Sequence, residues 1–193
     1  MNGEAFPTRT RISVERWHRM IEARVFRERE RVELLDGELW DMAPIDPPHN
    51  GLMNRLNHLC VAAAGRDAVV QPAGSLRLGS WSMPQPDLLV LRPRPDFYAG
   101  KMPEPADVLL LIEVANGSLD HDRRRKLALY ARHGVAEYWI GDAVGRRLEV
   151  YRRPQPDGTY AERLVLDPAT DVEATVAALA LPALRVGLRD LYG

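Results

Sequence analysis

Hydrophobic and polar positions repeat with two different periods in the first part of the chain. Apolar residues recur at helical spacing over residues 13–25, where Ser13 can cap the first turn. Two short apolar runs, 32–35 and 39–42, then flank Asp36-Gly37, a dipeptide that favours a tight hairpin turn. The sequence therefore predicts an N-terminal helix followed by a β-hairpin.

A second helix is predicted after the hairpin. Asp46 and two prolines can open it, and an apolar stripe continues to about Ala64, just before Gly65. Short strands are expected at residues 68–71 and 75–78.

The middle of the chain contains two strand-like segments, and each includes an acidic residue. Asp87 stands at the entrance of the apolar segment 87–91, which has prolines on both sides. Segment 108–114 is continuously apolar except for Glu113, as expected for a central strand covered on both faces. The proline-rich stretch 92–107 between them reads as a long exposed loop.

The remaining pattern indicates a mixed sheet with helices on its faces. A helix is predicted over 120–133, and the tail 174–192 is expected to end in a short helix. The order strand, helix, strand from 108 to 141 implies a parallel crossover. We therefore expect one α/β domain over residues 1–193, with a core at about 30–145 and C-terminal strands and a short helix over 146–193. The other predicted strands lie at 135–141, 147–151 and 160–166.

Composition excludes several classes of protein. The chain has 193 residues, 46% hydrophobic and 27% charged, which is typical of a soluble globular protein. No secretory signal or apolar run of membrane-spanning length is found, so we expect a cytoplasmic protein without a membrane partner. Cys60 is the single cysteine, which excludes an internal disulfide and a multi-thiolate zinc site.

Charge adds one further constraint. The formal net charge is -1, so any contact with nucleic acid must be made by a local basic patch rather than by the field of the whole protein. The basic residues are arginines apart from two lysines, Lys101 and Lys126. A lysine within a motif is therefore informative here.

The two acidic strand residues suggest a metal site. If the strands of Asp87 and Glu113 pair antiparallel, both carboxylates lie at one end of the sheet. Such a pair suits Mg²⁺ or Mn²⁺, whose remaining positions are filled by water and a substrate phosphate. Helical spacing places Asp122, Lys126 and Tyr130 on one face of the following helix, beside the same end.

The same residues carry a family resemblance. The matching segments are Pro86-Asp87 with its strand, Ile112-Glu113-Val114, Asp122, Lys126 and Tyr130, residues 134–142, and, upstream, residues 33–38 with His49. Together they resemble the Uma-two family of the PD-(D/E)XK nuclease superfamily. The resemblance implies a restriction-endonuclease-like fold and metal-dependent cleavage of DNA, with Asp87 and Glu113 as metal ligands.

One position departs from the superfamily pattern. Ala115 stands where the superfamily places its lysine, two residues after the second acid, and Asn116 follows it. Lys126 resembles the displaced lysine of the family. We expect it to orient or deprotonate the attacking water, or to stabilise charge on the phosphate.

Further candidates complete the predicted site. Glu33 is a third acid for the metal shell, and the secondary candidates are His49, Asp122 and Tyr130. A basic groove is expected from Arg92, Arg94, Arg123 and Arg124. Analogy with other nucleases suggests a homodimer. Two alternatives stay open, namely an inactive binding or scaffold protein with the same fold, and a hydrolase of a small phosphate ester.

Overall fold

A mixed six-stranded sheet forms the centre of the protein in a computed structural model that describes residues 9–28 and 30–193. The strand order is β3-β4-β5-β6-β7-β8. These strands are β3 (Val69–Pro72), β4 (Leu88–Leu91), β5 (Val108–Ala115), β6 (Glu137–Asp142), β7 (Arg147–Pro154) and β8 (Tyr160–Leu166). Neighbours are antiparallel, except that β5 and β6 are parallel.

Helices and two small sheets surround this sheet. The helices are α1 (Val14–Glu22), α2 (Pro47–Ala64), α3 (Leu119–His121), α4 (Leu127–Arg132) and α5 (Leu188–Tyr192). The hairpin strands are β1 (Val32–Leu35) and β2 (Glu38–Asp41), and a second small pair is β9 (Thr175–Ala177) and β10 (Arg185–Gly187). A single 3-10 turn, Pro105–Asp107, leads into β5.

The fold class predicted from the sequence is confirmed. Ser13 caps α1 by accepting from the backbone of Arg16, and Asp46 caps α2 by accepting from that of His49. The first helix ends at Glu22 rather than at residue 25. The hairpin, the antiparallel β4–β5 pair and the parallel crossover from β5 to β6 all form as predicted.

One local prediction was wrong. Residues 75–78 form no strand beyond an isolated bridge between Leu78 and Ser82, because their backbone bonds to nearby loop residues. The tail ends in a short helix as predicted, and the β9–β10 pair precedes it. Pro182, which cannot donate a backbone hydrogen bond, lies in the turn between these strands.

Apolar residues cover both faces of the sheet. One core contains Leu56 of α2, Ile112 of β5 and Trp139 of β6. The opposite core contains Leu129 of α4 and Leu111 of β5. This double coverage explains why β4 and β5 are apolar along their length. None of the helices in the described ranges is long and apolar enough to cross a membrane.

Candidate active site

Asp87 and Glu113 meet at one end of the central sheet. Leu88 pairs with Ile112, so the next pair along the antiparallel ladder is Asp87 and Glu113, with both side chains on one face. The backbone N–H of Val114 donates to Asp87 Oδ2 over 2.8 Å, which fixes that carboxylate against β5. The convergence expected from the antiparallel pairing is present.

His49 holds the other oxygen of Asp87. Its Nε2 lies 3.2 Å from Asp87 Oδ1, and both side chains are largely buried. Because His49 is in the first turn of α2, the cap at Asp46 fixes its backbone. The hydrogen bond from His49 lowers the pKa of Asp87 despite the burial that opposes this shift, and the same bond raises the pKa of His49.

Lys126 reaches the acids through an irregular turn of helix. Residues Asp122–Lys126 form a π-helical turn between α3 and α4, so the helix predicted over 120–133 is interrupted there. The ammonium lies 3.0 Å from Glu113 Oε1, 3.4 Å from Glu33 Oε1 and 4.0 Å from Asp122 Oδ1. π-Helical turns occur frequently at functional sites, where they displace side chains from regular positions.

Tyr130, one turn further along, also contacts Glu113. Its hydroxyl donates to Glu113 Oε1 over 2.7 Å, and both side chains are buried. The face shared by Asp122, Lys126 and Tyr130 therefore points at the acidic end of the sheet, as their spacing predicted.

Negative charge exceeds positive charge around this ammonium. Burial raises the pKa of Glu113 well above its ordinary value, and the nearby Asp87 and Asp122 carboxylates add to this shift. Burial alone would lower the pKa of Lys126, but the surrounding carboxylates outweigh it and the pKa is raised. One ammonium thus faces three carboxylates, an imbalance that an additional cation would relieve.

Glu33 and Asp122 complete the ring of acids. Glu33 Oε2 accepts from the backbone N–H of Gln85 over 3.3 Å, which links the hairpin to the strand entrance. Asp122 Oδ2 accepts from Ser118 Oγ over 2.7 Å. His121 Nε2 lies 3.9 Å from Glu33 Oε1, and burial lowers the pKa of His121.

A pocket of about 210 Å³ opens onto these groups. Sequence reasoning missed several residues of its wall, which are Arg31, Trp40, Asn116, Ser118 and His121. Asn116 donates to Asp46, so the residue after Ala115 braces the start of α2. The sequence contained one signal for these residues. His121 and Asp122 are consecutive at the start of a predicted helix, and both side-chain types can bind metal ions.

The donor set fits Mg²⁺ or Mn²⁺ with few protein ligands. No group of three or more His, Cys, Asp or Glu side chains is arranged as a ready metal cage within residues 9–28 and 30–193. Magnesium is commonly held by one or two carboxylates, with water and substrate phosphate filling the other positions. Asp87 and Glu113 supply such a pair: each oxygen of Asp87 accepts a single hydrogen bond, and Glu113 Oε2 accepts none from the described residues, whereas Oε1 already accepts from Lys126 and Tyr130.

The arginines predicted for the groove are scattered. Arg92 and Arg94 follow the far end of β4, where they bind Ala106 O and Asp96, so the structure does not bring them to Asp87. Arg123 donates to the buried Glu149 of β7. Arg124 is 82% exposed, 3.9 Å from Asp120.

Fold and site together define a restriction-endonuclease-like α/β protein. Residues 14–185 match the family described as "Uma2: Putative restriction endonuclease", and the chain belongs to this family. The assignment supports a nuclease, hence a hydrolase that acts on nucleic acid, in a class that generally uses divalent metals.

A solved structure agrees with this fold. The chain is similar to the crystal structure of "a putative nuclease belonging to DUF820" from Anabaena variabilis ATCC 29413, with a TM-score of 0.73 and 16% sequence identity. The match covers 94% of this chain and 97% of that one. None of the curated proteins matches the chain.

Proposed function

We propose that this protein is a Mg²⁺- or Mn²⁺-dependent endonuclease that hydrolyses phosphodiester bonds of DNA. The observation that supports this most strongly is the buried ammonium of Lys126, 3.0 Å from Glu113, beside a second carboxylate on the adjacent strand. Burying several charges in a sheet end is costly for folding, so such a cluster is typical of a functional site. Family membership supports the same reaction class.

Asp87 and Glu113 are the proposed metal ligands, with Glu33 as the third acid near them. A divalent cation, when bound, supplies a Lewis acid that favours ionised water and stabilises negative charge on the phosphate. Asp87 is held in place by the Val114 N–H and His49, so its carboxylate needs no reorganisation to accept a cation.

Lys126 acts as a fixed positive charge in this proposal. Three carboxylates within 4.0 Å keep the ammonium protonated, so it is suited to hold a phosphate oxygen or an attacking water by donating hydrogen bonds. This favours the charge-stabilising role over proton abstraction. Tyr130 orients Glu113 by donating to the same oxygen that Lys126 contacts.

Cleavage of labelled DNA and RNA strands in Mg²⁺, Mn²⁺ or EDTA tests the proposal. The wild type is expected to cut DNA only with a divalent ion, whereas Asp87→Asn and Glu113→Gln lose about a hundredfold or more of the rate. Lys126→Met, which removes the positive charge, should lose cleavage while retaining metal binding.

The matched control is Asp171→Asn, an exposed acid on the loop before β9 that should cut at the wild-type rate. If the wild type cuts RNA but not DNA, RNA replaces DNA as the proposed substrate. Absence of cleavage by the folded wild type in every ion would contradict the proposal and support the scaffold alternative. Turnover of a small phosphate ester without strand cleavage would support the other alternative.

A further inference from the structure

A second groove adjoins the candidate active site. It has a volume of about 590 Å³ and lies between α1, the segment that follows it, and the start of β1. Arg31 lines both this groove and the catalytic pocket. Gln85, also in the groove wall, donates its backbone N–H to Glu33 of the site. The two spaces therefore adjoin at Arg31.

The groove combines an apolar floor with positive charge. Trp17 and Phe26 pack against each other with ring centroids 4.9 Å apart, and Ile21 at the rim is 48% exposed. Arg24, Arg27 and Arg31 provide three guanidinium groups. This mixture differs from the catalytic pocket, where acids predominate.

The three arginines are available for a ligand. In the described part of the chain, no carboxylate forms an ion pair within 4.0 Å with any of them, whereas the arginines at the predicted groove positions 94, 123 and 124 each have an acidic neighbour. Glu28 and Glu30 also line the groove, and Glu30 accepts from the backbone N–H of Arg27, so three arginines stand there against two glutamates. The groove thus keeps an excess of positive charge.

The surrounding sequence has the same bias. Residues 9–31 contain eight arginines and four glutamates, although the whole chain has a net charge of -1. Three of these arginines, Arg24, Arg27 and Arg31, line the groove beside the acidic site, where a polyanion would meet them. Phosphate contacts by local arginines do not require a basic protein overall.

We propose that this groove binds a single-stranded segment of nucleic acid next to the scissile phosphate; the inference rests on the proposed nuclease function. The arginines alone would bind a duplex equally well, because the phosphates of a duplex are on its outer surface. The exposed Ile21 and the half-buried Phe26, which packs on the buried Trp17, are apolar surfaces that suit a strand whose bases are unpaired. The preferred substrate is accordingly a strand end, a loop or a locally opened duplex.

Fluorescence anisotropy in EDTA tests binding without cleavage. The probes are short labelled single-stranded DNA, single-stranded RNA of the same sequence, and the corresponding DNA duplex. The wild type should bind a single strand more tightly than the duplex. Arg24→Ala/Arg27→Ala should weaken single-strand binding roughly tenfold. It should also make the plot of log binding constant against log salt concentration less steep by about 1.4, because each of two lost phosphate contacts contributes about 0.7.

The matched control is Arg66→Ala/Arg185→Ala, which removes two exposed arginines elsewhere. Arg66 follows the far end of α2 from the site, so this pair should bind as the wild type does. Comparison of the DNA and RNA strands identifies the sugar that the groove accepts.

The outcome separates this inference from the proposed function. Wild-type affinity in Arg24→Ala/Arg27→Ala, or equal binding of duplex and single strand, would overturn the groove assignment even if the protein cuts DNA. Loss of binding in that variant, together with no cleavage by the wild type in any ion, would keep the groove and reject the nuclease.

Discussion

The ammonium of Lys126 lies 3.0 Å from Oε1 of Glu113, although the two residues are on different elements, thirteen positions apart. The π-helical turn at Asp122–Lys126 directs this lysine into the sheet end. Ala115, on β5, leaves the nearby strand position without a charged side chain. The helical segment, rather than β5, thus provides the positive charge beside Glu113.

Replacement of Lys126 tests the electrostatic account of the site. Lys126→Met should lower the free energy of unfolding by about 3 kcal/mol in metal-free protein, because Glu113, Glu33 and Asp122 lose their shared cation. Urea unfolding monitored by circular dichroism measures the change. Lys101→Met is the matched control, since Lys101 pairs with Glu104 at the surface and should change stability by less than about 0.5 kcal/mol. Equal effects of the two substitutions would contradict the account.

Tyr130 should stabilise the fold more than an equivalent tyrosine with a neutral partner. Tyr130→Phe removes a buried donor to Glu113, with an expected cost of about 2 kcal/mol. Tyr160→Phe removes a donor to the backbone oxygen of Val135 and should cost about 1 kcal/mol. Thermal unfolding of both variants tests the order, and a smaller loss for Tyr130→Phe would indicate that Glu113 is not charged in the free protein.

His49 should affect metal binding without being assigned as a ligand. His49→Gln is expected to weaken Mn²⁺ binding about tenfold or more, because partners that orient a ligand commonly contribute this much. His58→Gln, an exposed residue of the same helix, should bind Mn²⁺ like the wild type. Unchanged affinity in His49→Gln would show that Val114 alone positions Asp87.

The pair of His49 and Asp87 also predicts a pH dependence. The pKa of His49 is raised above its ordinary 6.5, so its contribution to stability is fully present below pH 6.5 and is lost as the pH rises through the folded-state pKa. In EDTA, the stability advantage of wild type over His49→Gln should therefore shrink above pH 6.5. An advantage that grows with pH would contradict the ion pair.

Most of the fold was predictable because its signals are local. Proline boundaries, apolar runs and the Asp36-Gly37 turn fix the strands before any tertiary contact is considered. The acids Asp87, just before β4, and Glu113, in β5, were also recognisable from local sequence. A carboxylate within an apolar strand such as Glu113 requires a partner or a cation, so it points to a site.

The remaining features depend on contacts that a linear pattern does not display. The π-helical turn at Asp122–Lys126 interrupts a helix that the residue spacing presents as continuous. Arg123 follows Asp122 in an apparently basic run, yet its partner is Glu149, twenty-six residues away on β7. The groove beside α1 forms only when Trp17 and Phe26 pack together and Gln85 approaches Glu33.

Calorimetric titration of Mn²⁺ into metal-free protein tests the central claim most directly, because the claim is that Asp87 and Glu113 together hold a divalent cation. The wild type and Asp171→Asn should show the same saturable binding, and Asp87→Asn/Glu113→Gln should show none while remaining folded by circular dichroism. Absence of saturable binding in the wild type, or wild-type affinity in the double variant, would contradict it.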